Sequence, residues 1–314
     1  MTTSLEVERQ GRSTWPSLPL GEWQDTQATL HRWLQIVGKT RLALAPRVNH
    51  WWHVTLYLTS RGLTTSPMPC GARTIEVELD FIDHNLLIRS SDGATRRLQL
   101  VPRSVADFYV EYMGLLSELD VRPEFWTRPN ELEDTLPFAE DEQHRSYDRD
   151  YADRCWQILS QADRVLQEFR GRFVGKCSPV HFFWGAFDLA CTRFNGETAP
   201  EHPGGVPNIP DSAVREAYSH RCISAGWWPG GGPLPEPAFY SYSYPEPSGY
   251  PEAAVRPAYA YYHRDLKEFI LPYEAVRTAQ NPDAVLLEFF QSTYEAGAEL
   301  GRWDRPALER AARS

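Results

Sequence analysis

The sequence predicts an α+β protein of two fused, similar halves, each an antiparallel sheet with flanking helices, packed pseudo-symmetrically. Three observations carry this. Matched motifs recur in the same order in both parts of the 314-residue chain. Thr74, Glu76, Glu78 and Asp80 alternate with Ile75, Val77, Leu79 and Phe81, the period of a strand with one wet face. Val105, Phe108, Tyr112, Leu115 and Leu119 recur at helical spacing behind Ser104, with Asp107 completing an acidic capping box.

The first half opens on a helix carrying Leu30, Trp33, Leu34 and Val37, and Gly38-Lys39 suits its C-cap. Strands are expected over 40–45, 51–59, 74–82, 86–90 and 95–101. Asp83-His84-Asn85 and Ser91-Asp92-Gly93 supply the turns. The helix from Ser104 closes this half, residues 1–121. Residues 122–150 hold nine acids and few apolar side chains and read as a surface linker. The second half, 151–314, opens on a helix with Ile158, Ala162, Val165, Leu166 and Phe169 that ends at Gly171-Arg172. It closes on another from about Asp283 to Leu300.

The matching is ordered. Pro46 then His50-Trp51-Trp52 answers Pro179 then His181-Phe182-Phe183, and the strands that follow close near Arg61 and Arg193. Ser66-Pro67-Met68-Pro69 answers Tyr244-Pro245-Glu246-Pro247. Glu118-Leu119 and Glu299-Leu300 lie at the same offset as Asp107-Phe108 and Glu288-Phe289. A degenerate tandem duplication accounts for this order. One segment breaks it: 197–237 is rich in Pro and Gly, has no counterpart in the first half, and reads as a loop.

Composition narrows the class. With 32 basic against 42 acidic residues the net charge is −10, which argues against a nucleic-acid partner. With 11 Trp, 15 Tyr and 14 Phe, the chain has enough large apolar side chains to offset its ordering entropy, which argues against disorder. No run approaches the roughly 18 apolar residues of a membrane span, and the polar start, Met1 to Pro16, has no secretory core. The five cysteines are widely spaced and form no CxxC pair; free thiols in the cytoplasm are expected.

The runs Trp15-Pro16-Ser17-Leu18-Pro19-Leu20, Asn49-His50-Trp51-Trp52-His53-Val54, Lys176-Cys177-Ser178-Pro179-Val180-His181-Phe182-Phe183-Trp184-Gly185 and Phe239-Tyr240-Ser241-Tyr242 resemble a bacterial family catalogued only as a domain of unknown function. The resemblance spans nearly the whole chain. It implies a bacterial protein and brings no activity, cofactor or catalytic residue. No GxGxxG, Walker A loop, GxSxG elbow or HExxH is present.

Candidate chemistry therefore comes from single residues. His50 and His181 hold equivalent places and read either as a shared acid–base or metal-ligating site or as strand-entry histidines bonded to backbone. His50 and His53 would share a metal only across a bulge, since residues three apart on a strand face opposite ways. Asp188 stands in an otherwise uncharged apolar run, so burial demands a partner, with Arg193, Lys176 or a histidine as candidates. His220 lies in the 197–237 segment close to Trp227 and Trp228, which are expected to dock on the body. Tyr240 and Tyr242 alternate with serines, so a strand puts the phenols on one face. Trp52, Trp184, Arg193 and Glu246 complete the candidate ligand contacts. Cys177 with His181 as a nucleophile and Lys176 as a Schiff-base amine are weaker readings beside buried, structural roles. The expected function is a small-molecule enzyme with His/Asp groups in an aromatic-lined pocket; the alternative is a non-catalytic binding module for an apolar or planar ligand. Cofactor, metal and oligomeric state have no signal in the sequence.

Overall fold

A computed structural model describes residues 14–310. The polar stretch before residue 14, on which the secretory-signal reading depends, lies outside the described residues.

Seven helices and two six-stranded antiparallel sheets make up the described chain, as the α+β class with two sheet-bearing halves requires. Helix α1 (Leu20–Leu44) is the axle. From Thr29 to Arg41 every residue is buried, so this helix is enclosed on all sides rather than amphipathic. That corrects two expectations: the helix does not stop at Gly38, and 40–45 is its last turn rather than a strand. Gly38 serves packing, not capping. A Cβ there would lie 2.2 Å from the Trp184 ring, so its absence lets the indole lie against the helix.

The first sheet holds β1 (Tyr57–Leu58), β2 (Gly62–Thr64), β3 (Met68–Cys70), β4 (Arg73–Asp80), β5 (Asn85–Ser90) and β6 (Thr95–Gln99). Its order is β1-β2-β4-β5-β6, with β3 also pairing to β4. Of the expected 51–59 strand only Tyr57–Leu58 pairs in the sheet; a 3-10 turn, Asn49–Trp51, runs into its start, with His50 and Trp51 at φ of 57° and 61°, and 52–54 are turn and bend. Helix α2 (Val105–Ser117) starts as its sequence requires, the Ser104 side chain accepting from the Asp107 amide.

Helix α3 (Arg149–Gly171) opens the second half and ends at Gly171 as expected. The second sheet holds β7 (His181–Phe183), β8 (Asp188–Thr198), β9 (His220–Trp228), β10 (Ala238–Tyr244), β11 (Tyr261–His263) and β12 (Glu268–Pro272), in the order β11-β12-β10-β9-β8-β7. The 197–237 segment is therefore not a loop. It supplies helix α4 (Asp211–Ala217) and β9, which pairs with β8 on one side and β10 on the other. Cys222–Trp227 is buried throughout and made of small or apolar side chains with no charge, as a strand covered on both faces requires; the flanking prolines and glycines obscured it. Helices α5 (Tyr273–Arg277), α6 (Pro282–Leu300) and α7 (Arg305–Leu308) finish the chain.

One continuous core joins the halves, running from Trp33 and Val77 to Phe169, Trp227 and Phe290. Alternate residues Leu189, Cys191, Ile223, Ala225, Trp227 and Phe239 turn one face of the second sheet into that core, where Phe239 meets Phe290 of α6 at 5.9 Å. The intervening residues face the other way. A cavity separates that second face from α4, and the candidate site lies there.

Candidate functional site

The outer face of the second sheet forms the floor of a cavity of about 500 Å³, within the range of small-molecule sites. Strand alternation fixes which residues reach it: Asp188, Ala190, Thr192 and Phe194 from β8, Ser224 and Trp228 from β9, Tyr240 and Tyr242 from β10, and Glu268 from β12. The roof is residues 206–218, including α4, with Val206, Ile209, Val214 and Tyr218 facing down. Walls come from 50–54, from Asn130-Glu131 and from the turn at 184–186.

That roof is fastened by the segment read as a surface linker. Asn130 accepts from the Gln35 side chain at its carbonyl (2.8 Å) and donates its amide to Gln35 Oε1 (2.7 Å). Its side chain accepts from Lys39 Nζ and donates to the Asn208 carbonyl. Asn208 returns a bond to the Leu132 carbonyl at 2.9 Å, and the Glu131 amide donates to the Pro207 carbonyl at 3.1 Å. These bonds hold Glu131 in the left-handed region, φ 59°, a costly backbone for a residue with a Cβ. Its carboxylate lies against Gly185, where a Cβ would sit 2.0 Å from Oε1. The acids of 122–150 are thus not all solvated: Asp141 is buried and pairs with Arg32 at 3.1 Å, and Phe138 is in the core.

Three carboxyls line the cavity: Glu131, Asp188 and Glu268. Asp188 follows a hairpin turn, Trp184–Phe187, so the strand expected to run on from His181 and close near Arg193 is two, β7 and β8. Its partner is none of the basic candidates. The Tyr240 hydroxyl donates to Asp188 Oδ2 at 2.5 Å. Burial lifts the Asp188 carboxyl to about 6 against the pull of that phenol. Burial, reinforced by the Asp188 charge, lifts Glu131 and Glu268 each to about 8. Neither glutamate side chain has a hydrogen bond or ion pair among the described residues. The Tyr240 ring is stacked on Tyr242 (centroids 6.1 Å apart), whose hydroxyl bonds to Tyr218 at 2.9 Å. The Trp228 indole donates to the Ala186 carbonyl at 3.1 Å.

His50 lines the same cavity at the far end. Its Nδ1 bonds to the Ala217 carbonyl at 2.9 Å and must carry the proton, so Nε2 accepts from Lys176 Nζ at 2.6 Å. The Lys176 ammonium lies over Trp52 and Phe194. Burial lowers both the His50 imidazole and the Lys176 ammonium. The His50 ring is 4.5 Å from Phe194, and Phe194 is six residues along β8 from Asp188, about 20 Å of strand. His50 and Asp188 therefore share a cavity but not a hydrogen-bond network.

The remaining candidates lie elsewhere. His181 is fully buried behind Trp52, bonded at Nδ1 to Thr55 Oγ1 (3.2 Å), and burial lowers it to about 3. His220 starts β9, its ring 5.7 Å from His50, its Nδ1 on Ser219 Oγ at 3.0 Å; it is not in the cavity wall. His53 accepts from the Val48 amide and shares no site with His50. Arg193 faces the core, its guanidinium 3.5 Å from the Phe169 centroid and 4.2 Å from that of Tyr294. Trp227 is buried on the same side, while Glu246 is exposed and accepts from the Tyr262 hydroxyl. Trp52, Trp184, Trp228, Tyr240 and Tyr242 do line the cavity. Cys177 Sγ is 3.7 Å from Cys191 Sγ and reaches no histidine. Among the described residues no group of three or more His, Cys, Asp or Glu is placed to hold a metal ion, and no helix is long and apolar enough to cross a membrane.

Glu131 and Glu268 were missed by sequence reasoning. Glu131 is one of nine acids in its segment, and Glu268 opens a short strand beside Lys267, so neither carries a signal of its own. No curated protein and no solved structure matches the chain. A family model described as a family of unknown function, DUF5996, matches residues 15–310, and the chain belongs to that family.

Proposed function

We propose that this member of the DUF5996 family is a small-molecule enzyme that works by proton transfer at Asp188, on the floor of the aromatic-walled cavity. The observation that carries this is a carboxyl titrating at about 6, held by a phenol in an apolar cavity. A group balanced near neutrality both takes and returns a proton efficiently, which is what general acid–base work needs. With Oδ2 engaged by Tyr240, the second oxygen is the one that receives the substrate proton. The phenol donates to the ionised form and steadies it after the proton leaves. Trp228, Tyr242 and the roof that contains α4 exclude water and orient the apolar part of the substrate.

We read the ordered motif pairs as a tandem duplication in which only the second copy gained a roofed face. The five cysteines, free in this fold, suit a reducing bacterial cytoplasm.

The test is conversion. Purified protein and its Asp188→Asn form are incubated with a bacterial metabolite extract and followed by mass spectrometry. A compound consumed by the first and spared by the second supports the enzyme. A compound that is retained by both and converted by neither makes the cavity a binding module instead.

A further inference from the structure

We infer that the Asp188 end of the cavity receives the ammonium group of an apolar amine, with the aromatic wall holding its hydrocarbon part. The inference rests on the cavity being a small-molecule site and adds the chemical class of what enters. Two independent observations meet here. The first is space with suitable walls: about 500 Å³, in which the stacked rings of Tyr240 and Tyr242 and the indole of Trp228 stand beside the carboxyls. Ring faces attract cations as well as hydrocarbon. The second is an unanswered charge. Glu131 and Glu268 have no hydrogen bond or ion pair among the described residues, although each approaches Asp188 closely enough to feel its charge. Acidic groups gathered in an apolar place are stable only when protonated or paired.

The groups around that end are known from every element packed on it. Asp188 and Tyr240 come from the floor, Glu268 from β12, Tyr242 and Tyr218 from the phenol pair, and Glu131 from the wall. None is cationic. Lys39 on α1 turns to Asn130 and to the rings of Trp126 and Trp184, and makes no ion pair among the described residues. The Lys176 ammonium is committed to His50 at the opposite end. A ligand ammonium fits the vacancy in charge: each carboxyl that ionises around it gains a charge-assisted bond and gives up its proton. Amine binding at neutral pH is therefore coupled to proton release.

The experiment is calorimetry on the full chain at neutral pH with three probes of similar size: phenethylamine, phenethyl alcohol and phenylpropionate. Repeating the amine titration in buffers of different ionisation heat counts protons. The amine should bind about tenfold or more tighter than the alcohol, as one charge-assisted bond implies, with proton release, and the carboxylate should give no heat. Glu131→Gln and Glu268→Gln should each weaken the amine about tenfold while leaving the alcohol unchanged. Should one variant fail to fold, the other and the wild-type panel still decide. Equal binding of all three probes keeps the cavity as a site and overturns the amine class. Absence of any binding overturns it too, while the conversion assay with Asp188→Asn independently decides the proton-transfer reading. Amine binding without proton release, or unaffected by both glutamine variants, also overturns it.

Discussion

The Tyr240 hydroxyl on β10 reaches Asp188 on β8 at 2.5 Å by crossing over the strand between them. The crossing is possible because Tyr240 pairs with Gly226, which also pairs with Ala190. A Cβ at Gly226 would lie 2.5 Å from that hydroxyl and 2.2 Å from the Leu189 carbonyl. Tyr240→Phe removes the donor to the ionised carboxylate, so the Asp188 titration should move upward from about 6 by about one pH unit, readable by carbon NMR of the carboxyl. Gly226→Ala should cost about 1–3 kcal/mol by urea denaturation. An unmoved titration in Tyr240→Phe would show that burial alone sets it.

The carboxyl pair sets the alkaline limb of stability. Glu131 and Glu268 ordinarily titrate at 4.5 and are raised to about 8 in the fold. Between those values the folded chain holds protons that the unfolded chain has released, so this contribution favours folding less as pH rises and its full penalty is present above 8. Glu268→Gln should match the wild type near pH 4 and exceed it above pH 8 by about 1–3 kcal/mol. Parallel pH profiles would count against the buried pair.

Two glycines inside helices should answer oppositely to alanine. At Gly114 on α2 a Cβ meets nothing within 4 Å, so Gly114→Ala should stabilise by about 0.5–1 kcal/mol. At Gly38 on α1 the Cβ would strike the Trp184 ring at 2.2 Å. Gly38→Ala should therefore destabilise by about 1–3 kcal/mol despite better helix propensity. Chemical denaturation of the two variants side by side decides.

The roof depends on Asn130. Asn130→Ala removes its side-chain bonds to Lys39 and to the Asn208 carbonyl and leaves Lys39 buried without its acceptor. The expected cost is about 2–3 kcal/mol. Hydrogen exchange should accelerate at 206–210 while the β4–β5 hairpin stays protected; uniform acceleration would mean that the roof has no separate anchor.

Legibility in the sequence followed period and capping. The alternation at 74–81 and the Ser104 cap named β4 and α2 because local chemistry decides those elements. Helix α1 was shortened because a glycine within a fully enclosed helix looks like an end unless its tertiary neighbour is known. Strand β9 was hidden by the prolines and glycines that flank it. Asp188 and the tyrosine face of β10 were visible, since a lone acid in an apolar run and alternating phenols are local signals. The Tyr240 partner, Glu131 and Glu268 were not, because they meet only through sheet register and a long-range clasp on the roof.

The cavity is bounded by stretches near 50, 130, 185, 210 and 240, with no single stretch enclosing it. A molecule held there would stitch all of them at once, so its binding energy would be felt by the whole molecule rather than by one loop. At a concentration one hundred times its dissociation constant, such a ligand adds about 2.7 kcal/mol to the folded state. The melting temperature of the intact chain thus becomes a detector for whatever belongs in the site, and it needs no assumption about the reaction.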